Sequence, residues 1–317
     1  MTRPKTYDEE QLLIIASLYY IDGLNQNDIA KRFRVSRPTV VRMLKEIRER
    51  GLIEIKLTKK LPHTQILAAE IESRYADSNL AEVIVVDEND LTKKRVVARA
   101  AAAYLEKTIL ATDILGVGWS TTLAHLHSFI VKPNYCPKMI VQLAGATGSI
   151  FGSNSQEISI NLSQTMHAPV SQLASPIFLA NQNARDAILM DKGVQKTIDL
   201  FSKCTLAIIG VGDISNRATL IKSGYLSKAD MADLTKCGAV GDILVHFFNE
   251  TGTEVTTSWD KLRMSASLDQ IKNIKNVVAV SAGAAKSIAV DSALTGGYIN
   301  TLIIDLSLAK ALLKRKH

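Results

Sequence analysis

One stretch of the chain runs from an apolar segment through glycines into hydroxyls: Ile114-Leu115-Gly116-Val117-Gly118-Trp119-Ser120-Thr121-Thr122. Glycine lets a ligand approach the backbone, a helix opening after the turn would offer unpaired amides, and three hydroxyls stand beside them. That combination suits an anion, a phosphate in particular. A second turn, Gly145-Ala146-Thr147-Gly148, closes the next apolar run, although an ordinary strand-to-helix turn also uses glycine. A dinucleotide site is disfavoured, because Gly116-x-Gly118-x-x-Thr121 lacks the third glycine and no acidic strand end follows about 20 residues on. Cys136, Cys204 and Cys237 lie far apart, without a CxxC pair or histidines at matching spacing. They read as buried thiols of a reducing compartment, so neither a zinc site, a disulfide framework nor a cofactor is expected.

A different chemistry is written in the charge. The net charge is +7, and residues 1–60 hold 13 Lys and Arg against 8 Asp and Glu; between Lys31 and Arg50 eight basic residues face two acidic ones. A block this local fits a surface that meets phosphates, while a plain solvated helix face is the alternative on charge alone. The elements around it decide the matter. Residues 9–21 place Leu12, Ile15, Ala16 and Tyr19 at helical spacing, with Asp22-Gly23 as the stop. A short helix follows from Asn25, its N-cap. Arg34-Val35 then turns the chain into a longer helix that Ser36 caps and in whose first turn Pro38 is tolerated. Val40, Met43, Leu44 and Ile47 form its apolar stripe, with Arg42, Lys45 and Glu49 opposite. This is a helix-turn-helix with Ser36–Arg50 as the recognition helix. Gly51 ends it, and the alternation in Leu52–Leu57 predicts the strand of a wing. Arg37, Thr39 and Arg42 are the candidates for base edges or flanking phosphates, Lys45 and Arg48 for phosphate, and Gln26 for the DNA backbone; Ser36 belongs to the same surface.

Lys59-Lys60-Leu61-Pro62 breaks the pattern, giving a DNA-binding domain over 1–57 and a larger domain over 58–317. After a helix at 64–77, with Ile66, Leu67, Ile71 and Tyr75 on one side, apolar runs alternate with helical stretches. The runs fall at Val83–Val86, Ile114–Gly118, Met139–Ala144, Leu206–Gly212, Val277–Ser281 and Leu302–Asp305; the helices at 92–109, 121–129 and 307–315. The fold class is therefore α/β, with a mainly parallel sheet covered on both faces and ligands expected beyond the carboxyl ends of its strands. The chain has no secretory h-region and no apolar run of 18 residues, so a soluble cytoplasmic protein is expected, with no membrane partner.

The helix-turn-helix together with GVGWSTTL at 116–123, GATG at 145–148, AIIGVGD at 207–213, IKSGYLS at 221–227, GAVGDILVHFF at 238–248 and GGYINTLIID at 296–305 resembles the SorC/DeoR family of sugar-binding transcriptional regulators, and within it the LsrR-like members. The resemblance implies an effector domain similar in fold to sugar-phosphate isomerases and CoA transferases, without turnover. It also implies a homotetramer of paired dimers, a double-stranded operator, and a phosphorylated sugar as effector. Family members usually repress an operon for sugar uptake or catabolism; some activate. Carried over by position, Gly118, Trp119, Ser120, Thr121 and Thr122 are the phosphate loop, and Gly145, Ala146, Thr147, Gly148 and Gln156 line the pocket. Asp242 accepts sugar hydroxyls, and Lys286 reaches a phosphate or hydroxyl. Taken singly, Asp242 also reads as a helix cap and Lys286 as a solvated lysine. Two rivals remain open at this point. One is a sugar-phosphate isomerase-like enzyme fused to a DNA-binding domain, for which Asp242 is the only base to nominate. The other is a large domain that serves oligomerisation alone.

Overall fold

The structure, a computed structural model, describes residues 7–54, 62–87, 92–148, 154–215 and 218–315. The chain divides into two compact units, Met1–Lys60 and Leu61–His317.

In the first unit α1 (Glu9–Ala16) runs on into a π-helical turn, Ser17–Ile21, and is followed by α2 (Gln26–Phe33) and α3 (Arg37–Glu49). Asn25 Oδ1 accepts from the amides of Asn27 and Asp28, each at 3.0 Å, which fixes where α2 begins. Arg34 ends it in the left-handed region at φ 54°. Its amide donates to Lys31 O and that of Val35 to Ala30 O, a Schellman closure that sets the tight turn. Ser36 caps α3 through Thr39 N at 3.3 Å. Leu12 and Ile15 of α1, Ile29 and Ala30 of α2, and Val40, Met43, Leu44 and Ile47 of α3 close one core. The expected wing strand is not formed where it can be seen: Leu52–Glu54 is irregular, and Ile55–Leu57 lie outside the described residues, as do Lys59–Leu61 of the expected boundary.

Among its described residues the second unit has ten strands: β1 (Glu82–Val86), β2 (Ile114–Val117), β3 (Met139–Gln142), β4 (Val170–Ser171), β5 (Leu206–Gly210), β6 (Gly212–Asp213), β7 (Gly241–Ile243), β8 (His246–Phe248), β9 (Asn276–Ser281) and β10 (Thr301–Asp305). Seven of them form a wholly parallel sheet in the order β1-β10-β9-β5-β2-β3-β4, and β6-β7-β8 form a small antiparallel sheet. Its helices include α4 (His63–Arg74), α5 (Lys93–Thr108), α6 (Ser155–Met166), α7 (Gln182–Leu189) and α8 (Lys192–Phe201). Strand residues alternate between two cores, as a pleat requires. Leu206 and Ile208 of β5 join Val97, Ala101 and Leu105 of α5 on one face, while Ala207 and Ile209 join Phe201 of α8 and Ile71 of α4 on the other. Burial on both faces explains the uninterrupted apolar runs.

The helix expected after Thr122 is a 3-10 helix, Leu123–Phe129. Two expectations are corrected. Ile66 is exposed, while Leu67, Ile71 and Tyr75 carry the packing of α4. Of the three free cysteines only Cys204 is buried, its thiol pushed up to about 12 by burial and so inert; Cys136 and Cys237 are exposed.

Candidate functional site

In the first unit the exposed side of α3 presents Arg37, Val41, Arg42, Lys45 and Arg48, opposite its buried stripe. Arg37 Nε donates to Gln26 Oε1 at 3.2 Å, so the first residues of α2 and α3 form one polar patch at the mouth of the motif. Ser36 and Thr39 are engaged with each other at 2.8 Å through their hydroxyls, beside the cap bond. Lys45 meets Glu49 at 3.5 Å on the surface. Arg50 turns away from this patch: it pairs with Glu9 at 2.8 Å and ties the end of α3 to α1. Val41 was not among the sequence candidates; its signal is an apolar residue on the polar side of the helix, able to meet a thymine methyl.

In the second unit the chain leaves β2 toward β3 and leaves β5 toward β9, in opposite directions across the sheet. Between the carboxyl ends of such divergent neighbours a crevice opens. Two adjoining clefts lie there, of about 40 and about 320 Å³, sharing Trp119, Thr121, Asp213, Thr219 and Lys286. Gly210 and Gly212 make the inner cleft possible. A Cβ on Gly210 would overlap Ser120 Cβ, and one on Gly212 would overlap the Asp242 carboxylate. The loop after β2 presses onto Gly210 at the end of β5, and β7 onto Gly212 at the start of β6.

Asp242 sits on β7, not at a helix cap. Its carboxylate accepts from Val245 N at 3.1 Å, and its pKa is raised from 3.8 to about 6 by burial and by Asp213, against the lowering pull of that amide and of Lys286. Nor is Lys286 a solvated lysine: its ammonium donates to Val211 O at 2.6 Å, and burial lowers its pKa while Asp213 and Asp242 raise it. Ser120 Oγ accepts from the amides of Thr122 and Leu123 at 3.0 and 3.3 Å. The amides expected to be free are thus held by the loop's own hydroxyl. With its lone pairs so used, that hydroxyl has its hydrogen left to donate.

The clefts bring together Trp119, Ser120, Thr121, Asp242 and Lys286, but Gly118, Thr122, Gly145, Ala146, Thr147, Gly148 and Gln156 do not line them. Gly118 packs beneath, against Leu244 and Ile209. The backbone of Gly145 is committed to Met264 O and Ser155 Oγ, and that of Ala146 to Ser175 and Ile177. Gly148 N donates to Tyr225 OH at 2.6 Å, and the Tyr225 ring meets Trp119 edge-on at 6.2 Å. Thr147 Oγ1 accepts from Ser155 N, and Gln156 opens α6 with its amide on Asn154 Oδ1. Gly148 thus backs the cleft wall through Tyr225 and Trp119.

Lys94, Lys222 and Asp213, which the sequence reading did not single out, complete the outer cleft. Burial and then the charge of Lys222 lower the pKa of Lys94; its neighbourhood also lowers that of His125, after burial, through Arg95, Lys94 and His127. A sequence signal existed. Lys93-Lys94-Arg95 open a 16-residue helix, where the macrodipole disfavours cations unless an anion is nearby. Among the described residues no cluster of His, Cys, Asp and Glu could hold a metal, and no helix is long and apolar enough to cross a membrane.

A basic recognition helix in one unit and a polar ligand crevice at a sheet switch point in the other define a ligand-responsive DNA-binding regulator. The family described as "Putative sugar-binding domain" matches residues 61–314, and the MarR family matches residues 8–55. The deoxyribonucleoside regulator of Bacillus subtilis (strain 168) is 28% identical over 96% of this chain and 98% of its own length. The transcriptional regulator LsrR of Enterobacter sp. (strain 638) is 26% identical, over 96% and 93%. In fold, the chain is similar to the full-length sorbitol operon regulator SorC from Klebsiella pneumoniae, with a TM-score of 0.73 at 20% identity, covering 98% of this chain and all of that one. The chain belongs to the SorC/DeoR family of sugar-binding transcriptional regulators, and it is a regulator, not an enzyme.

Proposed function

We propose that this regulator controls an operon for the uptake or catabolism of a carbohydrate, and that its effector is a phosphorylated sugar held in the crevice between β2 and β5. One observation carries the reading, the division of the crevice by charge. Asp242 lines only the inner cleft, Asp213 and Lys286 line both, and Lys94 and Lys222 add two cations at the outer end, so sugar hydroxyls would be met at the carboxylates and an anion at the outer lysines. A free sugar brings no charge to Lys94 and Lys222, and an inorganic anion brings no hydroxyls to Asp213 and Asp242.

The operator is double-stranded DNA in the cytoplasm, read by α3. One recognition helix covers only a few base pairs, so a homo-oligomer on an approximately palindromic site is the working form; the family resemblance suggests a tetramer acting as a repressor. A monomer by light scattering at micromolar concentration, with or without DNA, contradicts this part of the proposal.

Thr121→Glu tests the site. It places a carboxylate in the crevice where the ligand's charge belongs. Operator binding should survive and its response to a phosphosugar should vanish, locking the regulator in one state. A variant that responds at the wild-type ligand concentration overturns the assignment.

A further inference from the structure

We propose that the sugar-binding unit carries a second small-molecule site, in a cleft walled by α7 and α8 on one side and by β8 on the other, selective for a neutral compound that presents a hydroxyl on an apolar body. This goes beyond the phosphosugar reading and does not depend on it. The cleft measures about 330 Å³, room for a ring of six to ten heavy atoms, and it shares no residue with the effector crevice. Leu173, Leu189, Ile198, Phe201 and Met264 supply apolar walls, and His246 is its buried polar group.

The chemistry of His246 sets the selectivity. Its Nδ1 lies 2.7 Å from Glu254 Oε1, which also accepts from Arg263 Nη2 at 2.7 Å. The imidazole and Arg263 both hold Glu254 below the usual carboxylate range, so Glu254 is ionised and accepts only. The ring hydrogen therefore sits on Nδ1. Burial lowers the pKa of His246 and keeps the ring neutral, leaving Nε2 as a bare acceptor. Among the described residues the buried Nε2 has no hydrogen-bond partner, and His246 lines the cleft; an unmet acceptor costs free energy unless a donor reaches it. Both arginines of the lining are paired, Arg263 to Asp260 at 2.6 Å and to Glu254 at 2.7 Å, and Arg185 to Asp186 at 3.6 Å with its Nε on Arg263 O. A neutral hydroxyl fits; a phosphate or carboxylate does not.

The position of His246 is itself imposed. Leu244 and Val245, both buried, form the two-residue turn of the β7–β8 hairpin at φ 53° and 60°, a left-handed conformation that bulky and β-branched residues adopt at a cost. That turn carries Asp242 to the effector crevice on one strand and His246 to this cleft on the other.

Titration of the full chain with cyclohexanol, phenol and cyclohexanone, by calorimetry and saturation-transfer NMR, tests the proposal. Both alcohols should bind once per chain. Cyclohexanone, of the same size but with an acceptor in place of the donor, should bind at least tenfold more weakly. Leu189→Trp fills the cleft from its half-buried wall and should abolish alcohol binding, and His246→Phe should reduce the alcohols to the level of the ketone. If His246→Phe does not fold, the ketone comparison and Leu189→Trp decide. Equal binding of ketone and alcohol, alcohol binding unchanged in Leu189→Trp or in folded His246→Phe, or no binding of either alcohol overturns it.

Discussion

Replacing Asp242 with asparagine removes a charge that the fold holds at its own expense. In the wild type, burial raises the carboxyl from 3.8 to about 6. Between these values the folded protein retains a proton that the unfolded chain has lost, so stability falls as pH rises through the window and is level above it. At about 1.4 kcal/mol per pH unit, the ionised group costs about 3 kcal/mol at neutral pH, of which about 1 kcal/mol accrues between pH 5 and pH 7. Asparagine keeps an oxygen for Val245 N and does not titrate. Asp242→Asn should therefore gain on the wild type by about 1 kcal/mol between pH 5 and pH 7, while its effector affinity drops. Urea denaturation followed by tryptophan fluorescence is the assay, because both tryptophans, Trp119 and Trp259, lie in the sugar-binding unit. If the two proteins change stability in parallel with pH, Asp242 is not a strained carboxylate and the reasoning fails.

Arg42→Ala should weaken operator binding by about 1–3 kcal/mol in a mobility-shift titration, with an unchanged melting temperature, because Arg42 is exposed opposite the buried stripe of α3. Asn25→Ala should destabilise the helix-turn-helix unit by about 1 kcal/mol in thermal denaturation, since two amides at the start of α2 lose their acceptor. Gly145→Ala should cost the sugar-binding unit about 1–3 kcal/mol in urea denaturation, because its Cβ would lie 2.5 Å from Pro176 O in a packed wall; operator binding at low temperature should be unaffected.

Where local physics decides, the sequence was legible. Asn25 and Ser36 announce the helix starts through caps that need only neighbouring amides, and continuous runs such as Leu206–Gly210 announce a doubly covered strand. Motifs at strand ends pointed to Trp119, Ser120, Thr121, Asp242 and Lys286, which the fold brings to adjoining clefts. Less legible were groups whose role depends on what another segment brings to them. Lys94 and Lys222 come to one cleft from helices more than a hundred residues apart. The GATG turn looked like a ligand loop because glycine marks close approach; the close partner of Gly145 is the backbone of Pro176. Ser120 likewise shows a hydroxyl before a helix start, but its Oγ holds the amides a phosphate was expected to take, which depends on how the loop folds back on itself.

The most direct test of the account is an operator-affinity titration of the full chain with a panel of aldose and ketose phosphates and the matching free sugars, repeated with Lys94→Met/Lys222→Met. At least one phosphosugar should shift operator affinity tenfold or more in the wild type, its free sugar should not, and the double variant should bind the operator normally while losing the response. A free sugar as effective as its phosphate, or a double variant that responds like the wild type, would contradict it.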